Sequence, residues 1–306
     1  MDLQVVNFHY VDDRLYAGSG IMPIGSEEFR YIIETLVRER EPISLTDLCA
    51  VVCNRSTLPK KAVLVTFDDG LRCQWTTAIP ILESLQVPAA FFVCTEPLIS
   101  QQLLNVHKLQ IVRVRETSTE IFRQAEAWIS DDYIMAEVER CVTKFTQYRY
   151  DDLDSRRLKL LINFVLPQAQ SKRLLDELYR RVDGPSVEEF YMGPDEWRLL
   201  GERGALGAHS HCHRPLAALS APELEADLRL NAQLIRNCTG EIPLTISYPY
   251  GGVESITAET VDIASRLGFN LGFTMGRQPI VDFDTPLLLP RFDVRDLFPK
   301  ESYEPS

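Results

Sequence analysis

Two clusters of side chains in this 306-residue chain have the types and spacing for hydrolytic chemistry. The first is Thr66-Phe67-Asp68-Asp69-Gly70, which closes the apolar run starting at Ala62. Two adjacent carboxylates at the end of a buried strand are costly unless cations or hydrogen-bond donors offset them. Successive strand side chains point to opposite faces, so Asp68 and Asp69 need not do the same job. One can bind a cation while the other handles a proton. Taken alone, the same residues also suit an ordinary Asp-Asp-Gly turn. The second cluster is His209-Ser210-His211-Cys212-His213, with three of the chain's five histidines. His209 and His213, four residues apart, can meet at one ion if the chain turns after a strand. His211 is then left over, and Cys212 is a soft ligand or a buried thiol. The competing reading is a hydrogen-bonded strand end without a metal. Joined, one Asp and two His make a facial ligand set with open positions. That set suits a catalytic divalent ion: zinc first, with cobalt, iron, manganese or nickel as alternatives. The other Asp becomes a general base beside an activated water.

The elements that must position these clusters read as alternating strand and helix. Leu3–Tyr10 is a strand ending near His9, and Ser26 caps a helix carrying Phe29, Ile32, Ile33 and Leu36. Ala62–Phe67 and Ala89–Cys94 are near-continuous apolar runs, the pattern of parallel strands buried on both faces. A helix with Trp75, Ile79 and Leu82 lies between them, which is βαβ logic. Residues 97–189 differ: they hold one glycine, Gly184, and amphipathic stretches through Leu158, Leu161, Ile162 and Val165, and through Leu174, Leu175 and Leu178. They read as a helical insertion, expected near the mouth of the fold because it follows a strand's C-terminal end. The alternation resumes from Glu196. Ser220-Ala221-Pro222-Glu223 is a capping box opening a helix that Gly240 stops. Leu244–Tyr248, Leu271–Met275 and Leu287–Phe292 are strands, with a helix at Ile256–Leu267. The reading is one domain over 1–306, interrupted at 97–189.

The two clusters resemble the first two motifs of the polysaccharide deacetylases, the NodB-homology domain or carbohydrate esterase family 4. Ser247-Tyr248-Pro249-Tyr250-Gly251 resembles the third motif, and Phe91-Phe92-Val93 and Pro215-Leu216 also fit. The resemblance implies an irregular (β/α) barrel that removes N-acetyl or O-acetyl groups from sugars with one metal ion. It implies Asp68 as general base, Asp69, His209 and His213 as metal ligands, and the Tyr250 N–H at the oxyanion. The Tyr250 ring is also a candidate for stacking on a sugar.

Two family positions are changed. The third motif usually begins with an arginine that orients the base, and here that residue is Ser247. The last motif usually supplies a histidine as general acid, and no histidine follows His213. Asn7-Phe8-His9-Tyr10-Val11 resembles the N-terminal histidine segment of the family's permuted branch, which includes the poly-N-acetylglucosamine deacetylases. His9 is therefore the candidate acid, against the reading of a histidine at the core edge. Arg291, in Leu289-Pro290-Arg291-Phe292-Asp293, is the candidate for orienting Asp68 and lowering its pKa, against a surface ion pair. His107, inside the insertion, reads as a packed or solvated helix residue. Trp75 and Trp197 read as core.

Composition narrows the field. The net charge of −12 argues against a nucleic-acid partner and an anionic membrane surface. No apolar run is long enough to span a bilayer. Seven cysteines at irregular spacing, and an N-terminus without a basic stretch followed by an apolar one, read as reduced thiols in a cytoplasmic protein. That setting favours a nucleotide- or lipid-linked acetylated sugar over wall glycan as substrate. The rivals are a deformylase or cyclic-amide hydrolase with the same metal site, and a sugar-binding barrel without turnover.

Overall fold

The computed structural model describes residues 2–13, 21–53, 56–129, 131–143 and 151–300. It forms two compact units, the first comprising 1–13, 23–101 and 187–306, the second chiefly 102–186.

The first unit is a barrel. In chain order it runs β1 (Asp2–Phe8), α1 (Ser26–Glu39), β2 (Glu41–Pro42), α2 (Leu45–Val52), β3 (Lys61–Phe67), a π turn at Gln74–Ala78 leading into α3 (Ile79–Leu85), β4 (Ala89–Val93) and α4 (Glu96–Ser100). The second unit follows, with α5 (Asn105–Arg115), α6 (Ser118–Trp128), α7 (Asp132–Val142), α8 (Leu153–Leu160) and α9 (Gln168–Tyr179). The first unit then resumes with α10 (Val187–Phe190), α11 (Pro194–Glu202), β5 (Leu206–Ala208), α12 (Ala221–Thr239), β6 (Thr245–Ser247), α13 (Ala258–Arg266), β7 (Leu271–Thr274), β8 (Leu289–Pro290), β9 (Phe292–Asp293) and α14 (Val294–Leu297).

Eight strands pair in the order β8-β7-β6-β5-β4-β3-β1-β9, with the short β2 beside β3, and every ladder is parallel. The two end strands are one stretch of chain. Leu289-Pro290 pairs with β7, Phe292-Asp293 pairs with β1, and Arg291 lies between. The predicted strand Leu287–Phe292 is thus a seam over 289–293 that all but closes the barrel, its first two predicted residues lying instead in a 3₁₀ turn at Pro286–Leu288.

The period-2 alternation of strands sorts each side chain. Along β3, Val63, Val65 and Phe67 join the outer core against the helices, while Ala62 and Leu64 join the inner core. Along β1, Leu3 and Val5 face inward, and Val6 and Phe8 outward. The inner parity then carries Asn7 and Thr66 into the barrel lumen near its C-terminal end. The inner core also takes Leu45 and Leu48 from α2, beside the strand-start residues Leu3 and Ala62.

The second unit has its own apolar core, which includes Leu158, Leu161, Ile162, Leu174, Leu175 and Leu178. His107 is wholly buried in α5. Trp197 is buried in the outer core and Trp75 packs partly buried against it.

One expected cap differs. Gly25, not Ser26, occupies the cap of α1, and the Ser26 N–H and hydroxyl both donate to Asp13, at 2.7 and 2.6 Å. A carboxylate is the better partner for the positive end of a helix. At α12 the expected capping box forms: the Glu223 carboxylate accepts from the Ser220 N–H and hydroxyl, and Gly240 ends the helix at φ 84°. Among the described residues, no helix is long and apolar enough to cross a membrane.

Candidate active site

The chemistry-bearing residues gather beyond the C-terminal ends of the strands, where barrels of this kind place their sites. His9 follows β1, Asp68 and Asp69 follow β3, His209 follows β5, and Tyr250 follows β6.

Asp68 continues the inward parity of β3. Arg291 meets it as a bidentate pair, with Nη1 to Oδ1 at 3.0 Å and Nη2 to Oδ2 at 2.6 Å. The same guanidinium donates to Asn7 Oδ1 at 2.9 Å, Thr66 Oγ1 at 3.2 Å and Ser247 Oγ at 2.8 Å. Its Cζ lies 5.8 Å from the Phe92 ring centre and 5.9 Å from that of Phe273. Arg291 is 0% exposed, so the alternative of a surface ion pair does not apply. Asn7 Nδ2 adds a further bond to Asp68 Oδ2 at 3.0 Å.

Burial alone would raise the Asp68 pKa, but Arg291, with smaller help from His209 and His9, holds it well below the usual carboxylate range. Asp68 is therefore ionised at neutral pH. Its Oδ1 accepts the single bond from Arg291 and keeps a lone pair for a proton. Ser247, at the position of the family's arginine, receives the guanidinium that comes from the seam instead.

Asp69 leaves the strand by adopting φ 75°, and Gly70 follows at φ 71°. A Cβ on Gly70 would stand 2.8 Å from Val93 Cγ1, so only glycine fits this turn. The turn sends Asp69 away from Asp68 and toward the histidines. Asp69 Oδ1 lies 3.4 Å from His209 Nε2 and 3.3 Å from His213 Nε2. The loop is anchored behind by the Met192 N–H to the Gly70 carbonyl at 2.9 Å and by an ion pair between Arg72 and Glu196.

These three ligand atoms lie within 4.8 Å of one another, the one His/Cys/Asp/Glu group among the described residues that converges in this way. Bonds of about 2.0–2.1 Å to a tetrahedral ion place neighbouring ligand atoms about 3.3 Å apart, so the spacing fits. The tautomer fits too. His209 Nδ1 sits 2.7 Å from the Ser247 carbonyl, which can only accept, so in the neutral ring the proton is on Nδ1 and Nε2 offers its lone pair. The local field also favours a cation. Burial pushes the His209 pKa down, yet Asp68 and Asp69 outweigh it and hold the imidazole above its ordinary range.

The other residues named from the sequence are placed as follows. His211 turns its Nδ1 to Thr95 Oγ1 at 2.8 Å and stays out of the convergent group. Cys212 is also outside it, and burial pushes its thiol pKa up. His9 is half-buried at the end of β1, and its carbonyl accepts Gln74 Nε2 at 3.1 Å. The same Gln74 amide donates to the Asp68 carbonyl at 2.6 Å, tying the two segments together. Tyr250 is held at φ 66° with its ring 5.0 Å from that of His213.

Asn7 and Thr66 lie in the quoted motif segments without a predicted role, and Gln74 lies outside them. Asn7 and Thr66 did leave a signal, since each is a polar residue on the inner parity of an apolar strand.

A polysaccharide deacetylase family model matches residues 55–272, well over half the chain. The chain belongs to the polysaccharide deacetylase family. Members are hydrolases acting on the acetyl amides of sugars. Solved structures support the fold. IcaB from Ammonifex degensii is 17% identical with a TM-score of 0.59, over 98% of this chain and 95% of that one. The Streptococcus pyogenes deacetylase PplD, solved with acetate, is 15% identical with a TM-score of 0.55, over 100% and 99%. The deacetylase domain of BpsB from Bordetella bronchiseptica is 20% identical with a TM-score of 0.54, over 95% of each chain. No curated protein matches the sequence.

Proposed function

We propose that this deacetylase-family chain hydrolyses the acetyl group of an N-acetylated (or O-acetylated) sugar, with Asp68 as general base and a divalent ion, zinc first, on Asp69, His209 and His213. One observation carries the reading. A buried, ionised carboxylate fixed by Arg291 stands beside a ligand set of the right donors and spacing. Any carboxylate is too weak a base to deprotonate ordinary water, so it needs an acidified proton donor, and acidifying a water and polarising a carbonyl is what a divalent ion supplies.

The chain's own residues do the rest. Arg291 and Asn7 fix the Asp68 carboxylate, and the Oδ1 lone pair accepts the proton of the attacking water. The Tyr250 N–H is assigned to the carbonyl oxygen as charge builds there. His9 is assigned to protonate the leaving amine, because β1 pairs with β3 and so brings it to the strand end that carries Asp68. The substrate proposed is an acetylated sugar, nucleotide- or lipid-linked. A purely sugar-binding role gives no reason for a base held in this way.

The test is product analysis. The zinc-loaded protein is incubated with N-acetylglucosamine oligomers, O-acetylated and N-formylated sugars, and a cyclic amide. The expected product is acetate with a free amine. Formate or ring opening would move the activity to the rival hydrolases, and zinc binding without any turnover would favour the binding protein. His9→Ala should lower turnover by about 10²–10⁴-fold while zinc content stays the same. Full turnover in that variant would remove His9 from the acid role.

A further inference from the structure

The loop bearing the two histidines does not keep its shape by its own preference. Ser210 and His213 both sit in the left-handed region, at φ 64° and 52°, which residues with a Cβ avoid. The loop is held from outside, almost group by group. The His209 N–H donates to the Val93 carbonyl at 3.1 Å, and the Glu96 N–H donates to the His211 carbonyl at 3.0 Å. One bond is the loop's own, with Ser210 Oγ accepting the His213 N–H at 3.0 Å.

The remaining groups go to one face of α12. Asp227 Oδ1 accepts the His211 N–H at 2.7 Å, and its Oδ2 accepts the Cys212 N–H at 3.1 Å. One turn further on, Asn231 Nδ2 donates to the Ser210 carbonyl at 2.7 Å, the Val93 carbonyl at 3.1 Å and Thr95 Oγ1 at 3.2 Å. Both residues are buried, in the helix stripe that carries Leu224, Leu228 and Ile235 into the core. Polar side chains in an apolar stripe weaken packing unless their hydrogen bonds are used. Here those of Asp227 go to the histidine loop, and those of Asn231 tie that loop to the end of β4.

We propose that Asp227 is a positioning residue for the metal site. Its carboxylate forks onto two consecutive N–H groups and so sets the separation of His209 and His213, and with it the affinity for a divalent ion. The inference rests on Asp69, His209 and His213 being the ligands. Consecutive N–H groups converge on one carboxylate only when the peptide between them is turned as it is here. An asparagine has one accepting oxygen, and its NH₂ would face the second N–H. One buried donor is then left unpaired, and the loop is free to relax out of its left-handed turns. Loss of a partner that orients metal ligands typically weakens binding by about 10–100-fold.

The test measures zinc affinity by competition with a fluorescent chelator, for the wild type, D227N, D227S, D227E and H213A, with metal-free melting curves alongside. The wild type should bind one zinc. D227N and D227S should bind about 10–100-fold more weakly. D227E, which keeps two accepting oxygens, should recover most of the affinity. Wild-type affinity in whichever of D227N and D227S is folded at the assay temperature would overturn the proposal, whatever its melting curve. A merely packing role lowers the metal-free melting temperature and leaves affinity in the folded protein unchanged. A wild type that binds no zinc would instead overturn the ligand assignment beneath the proposal, and the proposal with it.

Discussion

Replacing Arg291 by methionine is expected to destabilise the barrel by about 3–5 kcal/mol at neutral pH, the usual consequence of removing one partner of a buried ion pair. The direction follows from the surroundings of Asp68. In the wild type its pKa is depressed below the unfolded value of about 3.9. The pair therefore contributes stability that is fully present above that value and lost as the pH falls toward the folded pKa. In R291M the burial term stands without its counter-charge, so the folded pKa rises above the unfolded one. The variant then carries a penalty at neutral pH that disappears once Asp68 is protonated. The gap between wild type and variant should be widest near pH 7 and narrow as the pH falls through the variant's raised Asp68 pKa, so that it is already smaller at pH 4. Urea unfolding across that range measures it. A gap of equal size at pH 7 and pH 4 would mean that the loss is packing against Phe92 and Phe273 and not charge. The double variant D68N/R291M, which keeps neither charge, should be more stable than either single variant.

Replacing Asp68 by asparagine is expected to be the largest catalytic loss that leaves the ligands intact. The side chain keeps its size but cannot take a proton, so acetate release should fall by about 10²–10⁴-fold. Asp68 is not among the three converging ligand residues, and the turn at Asp69 and Gly70 separates its side chain from them. Zinc affinity should therefore fall far less than turnover, because D68N removes one charge from the field around the site but none of its ligands. Pairing the two readouts distinguishes a missing base from a disturbed metal site. A D68N protein that keeps more than a tenth of wild-type turnover would assign the base to another group.

Much of this site was legible in the sequence because its signals are local. The carboxylate pair and the histidine triplet each lie within five residues, and the strand before Asp68 is a continuous apolar run. The barrel followed from the same runs. The parts that were not legible depend on strand register. Asn7 and Thr66 meet Arg291 only because β1 and β3 pair Asn7 with Thr66 and the seam pairs Asn7 with Asp293. No local pattern states that pairing. The seam itself reads as one strand in the sequence, but each half pairs for only two residues, and the residue between them is the one that reaches the base. Likewise β5 is three residues long, too short to show a period, yet it delivers His209. Ser247 reads as the loss of an arginine. In three dimensions it is a hydroxyl that accepts a bond from another arginine, 44 residues away in the chain.

Metal binding by the convergent triad decides the role of Asp69, His209 and His213. The direct measurement is metal content by elemental analysis of the purified protein after loading with zinc and exhaustive dialysis, with Asp69→Ala and His213→Ala treated in parallel. The expected result is about one ion per chain in the wild type and close to none in either variant. A wild type that retains no ion, or variants that retain as much as the wild type, would contradict it.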